Sequence, residues 1–294
     1  MSIWLDFLGA EIRYVETPSF GRTRIAEAGK GNAEALILMH GIGGHIEAYS
    51  KNVVALAKYF HVIAFDFVGH GLSAKPDDIT YDALTYREQL RELMDVLGIR
   101  RAHISGESLG GMVAGQFAIS YPDRVLRCVL NTTGGIPVVS EKGRQDLIDL
   151  ATLSAKNFGK APTHESVRGR MQWLIYERNW DRLLTDELVE SRLRIYQRPD
   201  FQKTAALVFA RLNKAAAGDA TPDMVDLEKI DCETLLFWTK HNPIHDIDAA
   251  RAALPRLKRG KLYVMKTDAA HWPQYEDDAE FNDVVTRYLQ TGEA

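Results

Sequence analysis

The five residues Gly106-Glu107-Ser108-Leu109-Gly110 have the spacing of a nucleophile turn: a serine between two glycines, after the short run Ala102-His103-Ile104-Ser105 and ahead of Gly111-Met112-Val113-Ala114-Gly115-Gln116-Phe117-Ala118. A strand that turns sharply into a helix here presents Ser108 Oγ on a strained backbone, and glycines leave the room such a turn needs. A serine so placed attacks a carbonyl carbon once a base has taken its proton. The charge that then develops on the carbonyl oxygen needs N–H donors. Leu109 supplies one, and Ile42, in the loop His40-Gly41-Ile42-Gly43-Gly44, supplies the other. Gly41 and Gly43 flank that donor and are placed against the substrate. No Lys-Ser/Thr pair follows these glycines and dinucleotide spacing is missing, which argues against a phosphate cradle.

The base is expected at His271. It lies in the loop Asp268-Ala269-Ala270-His271-Trp272-Pro273-Gln274-Tyr275-Glu276, between an apolar run at 262–265 and a helical pattern at 281–289, where it can meet a serine at the same sheet edge. His45, His61, His103, His164, His241 and His245 lack that placement and read as surface or satisfied groups. Asp66 and His70, in the glycine-rich corner Asp66-Phe67-Val68-Gly69-His70-Gly71-Leu72-Ser73, read as holding a loop by hydrogen bonding. An acid that orients the base belongs between serine and histidine in chain order. The segment Thr239-Lys240-His241-Asn242-Pro243-Ile244-His245-Asp246 occupies that place, and Asp246 and Asp248 lie near enough to reach back. His241 and His245 share the spacing of a helical zinc site, but Pro243 between them opposes a helix. The chemistry requires no metal and no organic cofactor.

These groups need a scaffold that gathers them. Strand-like runs at 23–27, 35–39, 61–65, 102–105, 127–130, 234–238 and 261–265 alternate with helical patterns at 47–59 and 81–97, as in a parallel sheet covered on both faces. From 136 to 229 no strand pattern appears, only helical segments such as 145–155, 167–176 and 187–197. The expectation is an α/β chain with a core domain at 1–135 and 230–294 and an inserted helical cap at 136–229, over the sheet edge where ligands bind. Trp272, beside the base, either lines the aromatic end of the pocket or packs its loop.

Bulk properties narrow the function. The 294 residues are 46% apolar and 26% charged, with a net charge of −4 and no clustered basic face, which disfavours nucleic acid as a partner. No run approaches the ~18 apolar residues of a membrane span, and Met1-Ser2-Ile3-Trp4-Leu5-Asp6 lacks a signal-like basic start. Cys128 and Cys232 sit at apolar runs and read as buried thiols. The partner implied is a small-molecule substrate, with no membrane association and a cytoplasmic location.

Together, and in this order, the motifs resemble the α/β-hydrolase family over nearly the whole chain. More narrowly, Ala270-His271-Trp272-Pro273-Gln274-Tyr275-Glu276, with Glu280-Phe281-Asn282 after it, looks like the histidine region of carbon–carbon bond hydrolases acting on meta-cleavage products of aromatic degradation. The segment Ser191-Arg192-Leu193-Arg194-Ile195-Tyr196-Gln197-Arg198-Pro199 is similar to the one where those enzymes carry an arginine for the substrate carboxylate, and the match falls on Arg192. The resemblance places the third catalytic member at Asn242, with Asp246 as the alternative. It implies an α/β-hydrolase fold, a serine-dependent cleavage of a 2-hydroxy-6-oxo-hexadienoate type substrate, and subunits that pair as dimers or larger assemblies. A carboxylesterase or lactonase, or a ligand-binding protein on the same fold, are the alternatives. Two departures stand out: those enzymes carry Asp where this chain has Asn242, and their oxyanion loop has more Gly and a Pro.

Overall fold

The computed structural model describes residues 2–157, 159–216 and 221–294. Eight strands form one sheet: β1 (Glu11–Thr17), β2 (Gly21–Ala28), β3 (Ala35–Met39), β4 (His61–Phe65), β5 (Ala102–Glu107), β6 (Val125–Asn131), β7 (Glu233–Trp238) and β8 (Gly260–Val264). Their order is β1-β2-β4-β3-β5-β6-β7-β8. The pairs β1/β2 and β2/β4 are antiparallel and the remainder parallel.

The apolar runs make the core because both faces of the parallel part are covered. In β3, Ile37 and Met39 enter one cluster with Leu90, Val113 and Phe117, while Leu36 and Leu38 enter another with Val53, Phe281 and Val285. Alternate side chains of one strand thus feed two cores, and each fully buried Leu or Ile contributes roughly 1.5–3 kcal/mol. The helix Leu109–Ser120 is apolar on all sides and buried from Leu109 to Ala118, as expected of a helix sandwiched between the sheet and the helix Ala83–Val96. Asp82 caps the latter by accepting from Thr85 N at 2.8 Å.

The chain goes from β3 to β4 on one side and then to β5 on the other side of β3. At that reversal the ends of β3 and β5 lie side by side, Met39 opposite Gly106, and the loops that follow them splay apart to leave a crevice. The glycine loop and Ser108 are those two loops.

Between β6 and β7 the described residues form helices and no strand, including Glu141–Asn157, His164–Gln172, Asp186–Tyr196 and Pro199–Ala216. This helical insertion is joined to the sheet domain by Tyr196 Oη donating to Gly43 O at 2.8 Å and by Tyr176 N donating to Glu276 Oε2 at 2.9 Å. The helix expected at 47–59 is shorter: a 3-10 turn Ile46–Tyr49 leads into Ser50–Leu56. Cys128 and Cys232 are free thiols. Among the described residues no helix is long and apolar enough to cross a membrane, and no cluster of His, Cys, Asp or Glu could hold a metal ion.

Candidate active site

Ser108 stands between β5 and its helix at φ 55 and ψ −112, a conformation costly for a residue with a side chain. The surroundings hold it there: Ser108 N donates to Asn131 O at 3.0 Å, and Ser108 O accepts from Met112 N and Gly134 N, both at 3.1 Å. Side chains are forbidden on either side. A Cβ on Gly106 would stand 2.0 Å from Gly110 O, and one on Gly110 would stand 2.2 Å from Met39 O. Leu109 N–H, at the first helical position, is one of the donors no intrahelical carbonyl can take.

His271 is held at both ends of its backbone, its N–H donating to Leu174 O at 3.0 Å and its carbonyl accepting from Thr132 Oγ1 at 3.0 Å. Glu276 steadies the same loop by accepting from Ala270 N at 2.7 Å. The ring is oriented by Asn242, whose Oδ1 lies 2.7 Å from His271 Nδ1. Because Asn242 Nδ2 donates to His245 O, Oδ1 is the acceptor and His271 Nδ1 carries the hydrogen. Nε2 is then left with a lone pair, and burial together with His245 pulls the ring's pKa down to about 3. His271 is therefore a neutral base at physiological pH.

The structure does not bring Asp246 to this ring. Its carboxylate accepts from Ser140 Oγ at 2.5 Å and from Ala249 N at 3.2 Å, capping the helix Ile247–Ala253. Asp66 ties the corner together instead of reaching the site, accepting from Arg24, from Ile46 N at 2.8 Å and from Leu72 N at 2.8 Å.

Sequence reasoning gave no role to Glu107. Its carboxylate is 1% exposed, accepts from Gly41 N at 2.7 Å, and places Oε1 3.2 Å from His271 Nε2. Burial pushes it up to about 8, against the pull of the Gly41 N–H and of Arg192. A carboxylate at the variable position of the serine motif, ending a strand buried along its whole length, was the available signal. Among the described residues no hydrogen bond joins Ser108 Oγ to His271 Nε2, although both line one cavity. Such bonds often close only around bound substrate.

That cavity, of about 390 Å³, also holds Ile42, Leu109, Arg192 and Trp272. Of the two glycines expected against the substrate, the placement of Gly43 is corrected here. Gly41 lines the cavity but its N–H is committed to Glu107, and a Cβ there would sit 2.6 Å from Oε2. Gly43 is not in the wall; at φ +69 it serves close packing, its carbonyl accepting from Tyr196 Oη where a Cβ would stand 2.5 Å away. Arg192 is 1% exposed, stacks at 5.0 Å over Trp272, and leaves Nε and Nη2 without a hydrogen-bond partner. Trp272 thus stands beside the cation in the cavity, and Val138, Leu147, Leu150 and Leu212 of the insertion add an aliphatic lining.

A serine elbow at the reversal point of such a sheet, facing a histidine from the loop after the last strand, defines a class of α/β hydrolytic sites. The chain belongs to the alpha/beta hydrolase fold family, whose model matches residues 34–278. Among its relatives, the 2-hydroxy-6-oxo-2,4-heptadienoate hydrolase of Pseudomonas putida is 27% identical over 270 residues, 91% of this chain and 92% of that protein. The 2-hydroxy-6-oxo-6-phenylhexa-2,4-dienoate hydrolase of Comamonas testosteroni is 29% identical, covering 90% of each chain. Of solved structures, a meta-cleavage product hydrolase from Pseudomonas fluorescens superposes with a TM-score of 0.79 at 25% identity, across 97% of this chain and 100% of the other.

Proposed function

We propose that this protein is a serine-dependent hydrolase that cleaves a carbon–carbon bond in a 2-hydroxy-6-oxo-hexadienoate type meta-cleavage product of aromatic degradation. One observation carries the reading: Arg192 is a buried cation with two idle donor nitrogens in the wall of the cavity that contains Ser108 and His271. Leaving such donors unpaired is costly unless an anion uses them. The relatives named above act on dienoate acids, whose carboxylate meets that need.

The carboxylate docks on Arg192, directing the chain of the substrate toward Ser108. Ketonisation of the 2-hydroxy diene creates an electron sink next to the bond to be broken. His271 Nε2 takes the Ser108 proton, Oγ bonds to the distal carbonyl carbon, and the displaced π pair rests on an oxygen held by the N–H groups of Ile42 and Leu109. When the carbonyl re-forms, the carbon–carbon bond breaks. Its electron pair passes into the keto-acid fragment, which takes the proton from His271, and water then releases the acid from Ser108. No step calls for a metal or organic cofactor.

The helical insertion, residues 136–229, acts as a cap whose aliphatic residues receive the distal substituent and exclude water from the addition step. The free thiols support a reducing compartment, the cytoplasm. The assay is loss of the yellow dienolate absorbance of such a substrate on mixing with the protein. Hydrolysis of short nitrophenyl esters with that absorbance untouched would replace carbon–carbon cleavage by ester hydrolysis.

A further inference from the structure

His271 is bracketed by two side chains of unequal charge. Asn242 Oδ1 holds Nδ1 at 2.7 Å, which orients the ring but offers no charge against the imidazolium that forms when the serine proton arrives. On the other side, Glu107 Oε1 lies 3.2 Å from Nε2, the nitrogen that receives that proton. The backbone is built around this carboxylate: Gly41 leaves open the space it fills, and Gly41 N–H donates to it at 2.7 Å. Among the described residues His271 is the one basic side chain within ion-pair distance of Glu107.

We propose that Glu107 supplies the countercharge that Asn242 lacks, its carboxylate facing and stabilising His271 once Nε2 has taken the proton of Ser108. This rests on Ser108 and His271 acting as nucleophile and base, and not on which substrate they cleave. In that step the Ser108 O–H bond breaks and the proton forms Nε2–H. The Oγ pair forms the new bond to carbon, and the carbonyl π pair moves to oxygen. Nδ1–H stays on Asn242, and Glu107 keeps its charge throughout.

The other charged or titratable groups that act on Glu107 are Arg192, which favours its ionised form, and the buried phenol of Tyr49. Because burial raises Glu107 to about 8, the working carboxylate is the form that has lost its proton to solvent, and Ser108 becomes more reactive as pH rises through that value. Once a substrate carboxylate covers Arg192, the pull on Glu107 weakens. The rise in kcat then falls at higher pH than the rise in kcat/KM.

The test is the rate at which a fluorophosphonate labels Ser108, followed from neutral to alkaline pH in wild type, Glu107→Gln, Asn242→Asp and the double variant. The wild-type rate should climb with an apparent pKa near 8, and Glu107→Gln should be slower by roughly 100-fold at the alkaline plateau with the climb abolished. Asn242→Asp should accelerate Glu107→Gln by about tenfold more than it accelerates the wild type, restoring an acid to the ring from the other side. Glu107→Asp, which keeps a carboxylate, should retain the climb, and it serves if the glutamine variant does not fold. An undiminished climb in Glu107→Gln, its loss in Glu107→Asp, or equal acceleration by Asn242→Asp in both backgrounds would overturn the proposal. A wild type that is never labelled would overturn the Ser108–His271 chemistry and this proposal with it. A labelled wild type that leaves dienoates intact would overturn the substrate assignment alone.

Discussion

Replacing Arg192 by Met separates what the cavity needs for binding from what it needs for stability. Methionine matches the length of the arginine stem and keeps a sulfur contact with Trp272, but it has no charge and no N–H to leave idle. Two charge-assisted hydrogen bonds to a carboxylate, from Nε and Nη2, are worth roughly 1.5–3 kcal/mol each. At about 1.4 kcal/mol per factor of ten, kcat/KM for a carboxylated dienoate should fall about 10²- to 10⁴-fold. A neutral nitrophenyl ester should lose less than about tenfold, since only packing changes for it. The folded protein should gain. Removing two unsatisfied buried donors recovers roughly 1–3 kcal/mol each, against about 0.5–2 kcal/mol of cation–π attraction given up. With about 2–4 °C of Tm per kcal/mol for a chain of this order of size, Tm should rise by several degrees. Steady-state kinetics on both substrates and a thermal melt decide it. An equal loss on dienoate and ester, together with a lower Tm, would mean that Arg192 holds the fold together and binds nothing.

Ser108→Ala should abolish turnover of both substrate types while leaving Tm within a few degrees, because the strained turn is held by backbone bonds; residual activity above about one part in a thousand would remove Ser108 as nucleophile. Asp246→Ala should cost about 1 kcal/mol in urea unfolding through the lost helix cap and leave kcat within about threefold, whereas a collapse of kcat would return the catalytic acid to this residue. Gly43→Ala puts a Cβ 2.5 Å from Tyr196 Oη at a positive φ, so it should lower unfolding stability by about 2 kcal/mol or more, and an unaffected urea midpoint would contradict the contact. Glu107 and Glu276, raised by burial to about 8 and about 7 from 4.5, bind more protons in the native state than in the unfolded one. Their contribution is full below pH 4.5 and drains as pH climbs to 8. The buried imidazoles of His40 and His271, lowered to about 4 and about 3, act in the opposite sense only below 6.5. Tm should therefore fall between pH 6.5 and 8, and Glu107→Gln should flatten the part above 7; a rising Tm across that window in the wild type would count against the buried carboxyl.

What could be read from the chain follows from how each element is covered. β3, β4 and β7 are packed on both faces, so each carries an apolar run, at 35–39, 62–65 and 235–238, whereas β5 is just as buried but broken by His103 and Ser105. β1 escaped notice because it is an edge strand whose exposed positions are charged or aromatic, and Glu11-Ile12-Arg13-Tyr14 resembles a surface loop as much as a strand. The helix Pro199–Ala216 opens with a proline, which reads as a breaker yet suits the first helical turn. In the site, Ser108 and His271 declare themselves by their place after strands. Glu107 does not, since its role exists only once β3 and β5 lie side by side and bring Gly41 against its carboxylate. Gly43 stands outside the cavity for the same reason: a glycine that admits a neighbouring side chain looks identical, in sequence, to one that admits a ligand.

The contacts at Gly106 and Gly110 leave the serine turn and the end of β3 without a single free atom's width between them. The floor of the crevice is therefore one rigid piece, unable to adjust when the reaction changes, while the helices above it rest on it through side chains, such as Val189, Tyr196 and Val208, that can be exchanged. Divergence toward new substrates has only the upper storey to work with, and a designer wishing to redirect this chain would recast the roof and leave the hearth alone.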